Sequence, residues 1–345
     1  MVKVRYSDEK YLCKYDLSMD FFERLGLDIT DLWPNRNVYI LDTKQGKKIL
    51  KMIDYSNQRL NFICKGMDYI RNNYENILNI NTLPNGEKSI LWKGKTYILM
   101  NLIDGVECEV ANPIDLEITS KSLGLMHKAS YGLLETLSNK EIIDNLGNYY
   151  LEKVFNEDKE FLLKFKEQVA GYKYRNEFDE IFLNNVDENI EIIEKCKDLL
   201  KLTKYYSLWS NNKYIVLCHN DLAYHNIIIK DKKVNFIDFD YSKIDLRIKD
   251  LSEFITKTIK RFGFSVEMCD TIIDNYSKVN DLCEEELNIM YIYMMYPYDF
   301  TIISKEYYKK LKDWNYESYL YKLKNKLSYT KEKEETLKYF RDKYL

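Results

Sequence analysis

Two short runs carry acid and amide side chains at spacings that suit phosphoryl transfer. One is His219-Asn220-Asp221-Leu222-Ala223-Tyr224-His225-Asn226, and the other is Ile237-Asp238-Phe239-Asp240. Phosphoryl transfer asks little covalent chemistry of a protein. It needs a carboxylate to orient or deprotonate the attacking hydroxyl, oxygen ligands for a metal, and a cation on the phosphates. Asp221 suits the first role. Asn226 and Asp238 are hard oxygen donors of the kind Mg2+ takes, in small number, alongside phosphate oxygens. A cation stands in Ile49-Leu50-Lys51-Met52-Ile53. A lysine buried in such an apolar run asks for an anion, although an edge-strand lysine facing solvent fits the same pattern.

The elements that must position these groups are legible around them. Residues 227–230 and 234–237 read as two strands joined by a three-residue turn, Asp231–Lys233. In that register 227 faces 237 and 230 faces 234, so Asn226 meets Asp238 at one end of the hairpin. Upstream, Val38–Leu41, the turn Asp42–Gly46 and Lys48–Ile53 predict a second hairpin. Ser56 caps a predicted helix from Asn57 to Asn72, with Leu60, Ile63, Met67 and Ile70 on one face. A strand over Lys95–Leu102 follows, and then helical periodicity over Leu116–Leu134, Asn145–Lys166, Ile181–Leu202 and Lys331–Leu345. A strand-rich start before a helix-rich remainder predicts an α+β chain in two lobes, with a catalytic strand island at 214–241.

Other readings of the island stay open. His219, Asp221 and His225 are candidate transition-metal ligands, but no further Cys or His shell stands nearby. Cys218 and His219 are neighbours on a strand and point to opposite faces, a poor thiol–imidazole pair. Asp and Asn also cap turns without any chemistry.

The pattern His219-x-Asp221-x4-Asn226 with Ile237-Asp238-Phe239-Asp240 resembles the aminoglycoside phosphotransferase and choline kinase branch of the protein-kinase-like superfamily. The resemblance implies a protein-kinase-like two-lobed fold. It places a nucleotide-binding lobe at 1–103 and a helical lobe at 104–345 that carries the hairpin. It implies ATP and Mg2+ as cofactors, Asp221 as base, Asn226 and Asp238 as metal ligands, and Lys51 as the phosphate-binding lysine. His219 braces the loop, and backbone groups of Asn101 and Leu102 at the hinge meet adenine. Asp240 replaces the glycine of the protein-kinase Asp-Phe-Gly motif. Three further departures stand out. The Asn57–Asn72 helix holds no Glu for Lys51, only Asp68. Pro34-Asn35-Arg36-Asn37 occupies the place of a glycine-rich loop. Asn220 stands where Gly is common, a change suited to a positive φ. Arg247 and Asp250 match the family segment after the metal Asp, with Asp250 as a helix cap beside a basic partner. His127 sits on an apolar helical stripe and reads as a packed core histidine.

Leu83-Pro84-Asn85-Gly86-Glu87, Leu102-Ile103-Asp104-Gly105 and Leu123-Gly124-Leu125-Met126-His127-Lys128-Ala129-Ser130 occur in an order similar to that of CotS-type spore coat proteins. That resemblance implies other spore coat proteins as partners and the spore coat as destination. A catalytically weak or inactive kinase-fold structural protein of the coat is the alternative to an active enzyme. The acceptor hydroxyl is on an unknown small molecule.

Bulk composition excludes several classes. The 345 residues, 46 % hydrophobic and 31 % charged, read as globular. The net charge of -3 gives no basic footprint for nucleic acid or an anionic membrane. No apolar run reaches the ~18 residues of a membrane span, and Met1–Lys10 lacks a signal-peptide core. Cytoplasmic synthesis follows. Seven cysteines without a Cys-x-x-Cys predict buried reduced thiols. The 31 tyrosines are ordinary packing residues or candidates for cross-linking in a coat.

Overall fold

The computed structural model of the protein describes residues 17–35 and 38–345. Met1–Lys10, Cys13, Arg36 and Asn37 lie outside the described residues. The chain divides into two compact units. The first takes the described residues up to Glu109 together with Tyr224–Asp240, and the second takes Val110–Ala223 with Tyr241–Leu345. The expected boundary kept the whole 214–241 island in the C-terminal lobe, whereas Tyr224–Asp240 cluster with the first unit.

The first unit is built on strands β1 (Ile29–Asn35), β2 (Val38–Thr43), β3 (Lys48–Ile53), β4 (Ile90–Trp92) and β5 (Lys95–Asn101). They form an antiparallel sheet in the order β1-β2-β3-β5-β4. Strand β1 was not expected, because Pro34 stands within it. Pro34 is accommodated because β1 is an edge strand. Strand β3 is central, and its side chains alternate between faces. Leu50 enters a cluster with Phe21, Leu41, Tyr97 and Leu99, beneath the short helix α1 (Met19–Arg24). Helix α2 (Asn57–Arg71) begins at Ser56, whose hydroxyl accepts from Arg59 N–H. It buries the expected Leu60, Ile63, Met67 and Ile70.

Further strands are β6 (Val106–Glu107), β7 (Ile215–Cys218), β8 (Ile227–Lys230), β9 (Lys233–Phe236) and β10 (Lys243–Leu246). In the first unit β6, β8 and β9 form a three-stranded antiparallel sheet. The hairpin register differs from the expected one by a residue. Ile227 pairs with Phe236 and Lys230 with Lys233. The turn is the two residues Asp231 and Lys232, with φ of 50° and 62°, which is the backbone sign of a type I′ turn. Asn226 therefore faces Ile237, whose N–H donates to the Asn226 carbonyl at 3.0 Å, and Asp238 lies one step further on. The close approach of β6 to β8 explains Gly105: a Cβ there would stand 2.6 Å from the Ile229 carbonyl oxygen. The segment after α2 fixes the other edge of the hairpin. Leu78 N–H donates to Phe236 O at 3.2 Å, and Tyr74 OH donates to Val234 O.

The second unit is mainly helical: α3 (Pro113–Ala129), α4 (Asn139–Asp144), α5 (Leu151–Ala170), α6 (Glu177–Leu202) and α7 (Tyr205–Leu208), then α8 (Arg247–Ile259), α9 (Val266–Ser277), α10 (Glu284–Met295), α11 (Tyr298–Tyr308), α12 (Tyr316–Leu327) and α13 (Thr330–Tyr344). Helix α5 starts six residues later than the predicted Asn145. Residues 145–147 are instead spent on β10: Ile244 N–H donates to Asn145 O at 2.9 Å, and Gly147 N–H donates to Ile244 O at 2.8 Å. Helix α3 stops before the predicted Leu134, ahead of Gly132 at φ 86°. Strands β7 and β10 pair antiparallel in the buried interior. Arg247, fully buried at the start of α8, pairs with Glu286 of α10 at 2.7 Å on two nitrogens. The expected neighbour, Asp250, has a different task.

Candidate active site

In the first unit Lys51 projects from central β3 with its side chain only 15 % exposed. The solvent-facing alternative is thereby ruled out. Its Nζ lies 2.7 Å from Asp238 Oδ1 and 2.7 Å from Asp240 Oδ2. Burial pushes the Lys51 pKa down, but Asp240 and then Asp238 outweigh it and hold the ammonium above its ordinary value. The missing helix glutamate is thus replaced by Asp240. Asp68, the carboxylate in α2, pairs with Arg71 on the surface instead.

Asp240 is held from every side. Its Oδ1 accepts from Tyr55 OH at 3.0 Å, its Oδ2 takes Lys51, and its backbone carbonyl accepts from Arg59 Nη2 at 2.9 Å. The same carboxylate, after burial, raises the Tyr55 pKa far above the phenol range. Asp238 differs. Its side chain is 36 % exposed, and among the described residues Oδ2 bears no hydrogen bond. Its backbone sits at φ 67°, a left-handed conformation that costs a non-glycine residue of order 1–3 kcal/mol and that collects at functional sites. A carboxylate with one oxygen on a lysine and one left over suits a hard cation that takes few protein ligands. Asn226 is buried at the start of β8.

Asn101 and Leu102, the expected hinge residues, stand at the end of β5. Asn101 Oδ1 accepts from Lys48 Nζ at 2.6 Å and from Asn81 Nδ2 at 3.1 Å. Leu102 N–H donates to Lys47 O at 3.1 Å, so this amide is committed to the sheet.

In the second unit Asp221 follows β7 on a loop braced by buried groups. Asp250 accepts from His219 N–H at 2.5 Å and from Asn220 N–H at 2.8 Å, one on each carboxylate oxygen. It is the loop's anchor rather than a helix cap. His127 Nε2 lies 3.3 Å from Asp250, and His127 Nδ1 lies 2.8 Å from Tyr276 OH, the satisfied core histidine expected. Burial works to raise the Asp250 pKa, but His127 and the loop amides hold it below the ordinary carboxylate value. Asp221 N–H donates to His219 Nδ1 at 3.3 Å, so His219 does brace the loop. Asn220 has φ 59°, the positive value its place in the loop implied. His225 lies in a single 3-10 turn against Tyr224. Among the described residues, no group of three or more His, Cys, Asp or Glu side chains could hold a metal ion.

Asp221 also has a cationic neighbour that the motifs do not announce. Lys257 Nζ lies 2.9 Å from Asp221 Oδ1 and 2.6 Å from Glu253, and Lys249 Nζ lies 2.6 Å from Glu253. The 249-253-257 spacing on α8 is an i,i+4 signal visible in the sequence. Asp221 lines a cleft of about 1080 Å³ formed within this unit, the size of a small-molecule site.

The choline/ethanolamine kinase family profile matches residues 118–288. This chain has the protein-kinase-like fold. An aminoglycoside phosphotransferase from Alicyclobacillus acidocaldarius superposes with a TM-score of 0.78 at 14 % identity, over 93 % of this chain and 94 % of that one. Spectinomycin phosphotransferase, solved with AMP bound, gives a TM-score of 0.69 at 15 % identity over 93 % and 97 %. The chain is also similar to Spore coat protein S of Bacillus subtilis (strain 168), 22 % identical over 317 residues, covering 88 % of this chain and 86 % of that protein. No helix among the described residues is long and apolar enough to cross a membrane.

Proposed function

We propose that the protein is an ATP- and Mg2+-dependent phosphotransferase that acts on a hydroxyl of a small molecule and serves in the spore coat. The observation that carries the reading is the Lys51–Asp238 pair, which joins residues 187 positions apart at 2.7 Å. Each unit supplies one part of the chemistry. In the first, Lys51 places positive charge on the nucleotide phosphates, and Asp238 with Asn226 offers oxygen ligands. Bound magnesium would neutralise charge on the phosphate oxygens. Asn101 and the Leu102 carbonyl stand at the adenine end. In the second, Asp221 orients the acceptor hydroxyl and takes its proton as the oxygen bonds to the γ-phosphorus and ADP departs. Lys257 holds Asp221 in place. Nucleotide-bound relatives of the same fold support the cofactor, and the Spore coat protein S likeness supports the location.

The test is Mg2+-dependent ATP turnover by the full chain and by Asp221→Asn. General-base removal lowers turnover by about 10²–10⁴-fold while Mg·ATP still stabilises the protein. Undiminished turnover in the variant removes Asp221 from the role. A second reading, a coat protein that keeps the fold without catalysis, draws support from the same likeness to Spore coat protein S. Saturating Mg·ATP at 100 times its Kd stabilises a binder by about 2.7 kcal/mol. Absence of any shift favours the coat scaffold.

A further inference from the structure

The cleft that holds Asp221 is not electrically uniform. Lysine and arginine side chains outnumber carboxylates in its lining by eight to five. Near Asp221 the charges balance, with Lys249 and Lys257 against Glu253 and Asp221. The surplus gathers elsewhere in the lining, around Asp299. That carboxylate takes Lys260 at 2.7 Å and Lys326 at 2.5 Å, and also accepts from Tyr329 OH at 2.7 Å. After burial, which opposes it, the two lysines hold the Asp299 pKa far below the carboxylate range, so the carboxylate is fully ionised and already shared.

A third cation, Lys333, lines the same cleft. Its Nζ donates to the backbone carbonyls of Met295 and Tyr296, at 3.1 Å each. An ammonium has three N–H donors, and those carbonyls carry no net charge to offset it. Lys260 and Lys326 on one carboxylate, with Lys333 close enough to interact with both Asp299 and Lys260, leave two positive charges in excess, in partly buried positions where unpaired charge is costly. An anion from outside the chain would relieve that cost.

We propose that Lys260, Lys326 and Lys333 form an anion subsite, so that the acceptor is an anionic alcohol with its phosphate or carboxylate at this cluster and its hydroxyl at Asp221. The identity of this ligand as acceptor rests on the phosphotransferase reading; the anion subsite itself does not. Tyr298 lines the same cleft and interacts with Glu253, Lys249 and Lys257 as well as with Asp299. A cationic amino alcohol would meet a repulsive field at this cluster.

The test uses the full chain without nucleotide and follows thermal stabilisation by sn-glycerol 3-phosphate, with glycerol and ethanolamine as neutral and cationic counterparts. The Lys51→Met background removes competition from the nucleotide lysine. Saturable stabilisation by sn-glycerol 3-phosphate alone is expected. It weakens at least tenfold in Lys260→Gln/Lys326→Gln/Asp299→Asn, which removes two cations and their shared carboxylate together and leaves Lys333 as the one charge of the cluster. If that triple variant does not fold, Lys326→Gln alone is expected to weaken binding several-fold. Unchanged binding in the folded variant overturns the subsite, as does preferential stabilisation by ethanolamine. Asp221→Asn retains anion binding. Loss of turnover alone there confirms the catalytic role, whereas anion binding in a chain that never turns over ATP leaves the subsite standing and ends the acceptor assignment.

Discussion

Lys51 Nζ lies 2.7 Å from Asp240 Oδ2, a residue two positions beyond the carboxylate expected to hold metal. The pair does the work that a helix carboxylate would otherwise do for this lysine. It also leaves Asp238 with only one oxygen on Lys51. Tyr55 and Arg59, flanking the start of α2, lock Asp240 in turn.

Asp240→Asn should therefore weaken nucleotide handling without touching the hydroxyl end. A hydrogen bond to a charged group is worth about 1.5–3 kcal/mol. A rise in the KM for ATP of about ten- to a hundredfold is expected, with the unfolding midpoint in the absence of ligand shifted only modestly. Asp240→Glu, which restores the charge, should recover part of it. Steady-state kinetics with ATP as the varied substrate would show the split, and an unaltered KM would mean that Asp238 alone positions Lys51.

The Asp250 carboxylate offers a pH-dependent check on the loop that carries Asp221. Its native pKa lies below the ordinary value, so the native state binds fewer protons there than the unfolded chain around and below about pH 4. Its stabilisation is complete above the unfolded pKa of about 3.9 and is lost as pH falls through the lower native pKa. Asp250→Asn presents an NH2 group to one of two backbone N–H donors. The variant should lose about 3–5 kcal/mol at pH 7, and denaturant titrations at successively lower pH should show the gap to the parent closing.

Much of this site is legible in the residues themselves. A lysine inside an apolar strand demands an anion, and Asn220 stands where a positive φ is needed. The register of the β8–β9 hairpin is harder to read, and the expected one is a residue out. Asp231-Lys232 lacks the Asn-Gly or Asp-Gly signature of a type I′ turn, so nothing local announces a two-residue loop. Asp240 is invisible as the partner of Lys51 because such a partner is ordinarily sought along a helix, and only tertiary structure brings β3 to the end of the hairpin. The Lys257 contact to Asp221 is hidden for the same reason, although its i,i+4 pairing with Glu253 is visible.

Arg247 and Glu286 make the clearest stability test in the second unit. Both side chains are buried, and the pair is bidentate. Arg247 also donates to Tyr131 OH and the Asp281 carbonyl at 2.6 Å each. Removing one partner of such a pair costs about 3–5 kcal/mol, because the other charge stays buried. Glu286→Gln should show that loss in chemical denaturation. The double change Arg247→Met/Glu286→Leu should cost less than the sum of the single changes, since no charge is stranded. Additive losses would mean that the two groups act independently.

Lys333 gives a prediction of the opposite sign. Burial depresses its pKa to about 8, with Asp299 only partly compensating. The unfolded chain, with a lysine pKa of about 10.4, then binds more protons than the native state between pH 8 and about 10. Stability attributable to this group should rise with pH across that window, and the penalty for charging it is fully present below pH 8. Lys333→Met should accordingly flatten that rise, leaving the variant more stable than the parent at pH 7 and no better above about pH 10. Its two carbonyl acceptors are backbone groups on α10 and the residue after it, so their lost hydrogen bonds set a pH-independent offset. The slope between pH 8 and 10 is therefore the quantity to measure, and an unchanged slope would mean that Lys333 stays charged in the folded protein throughout.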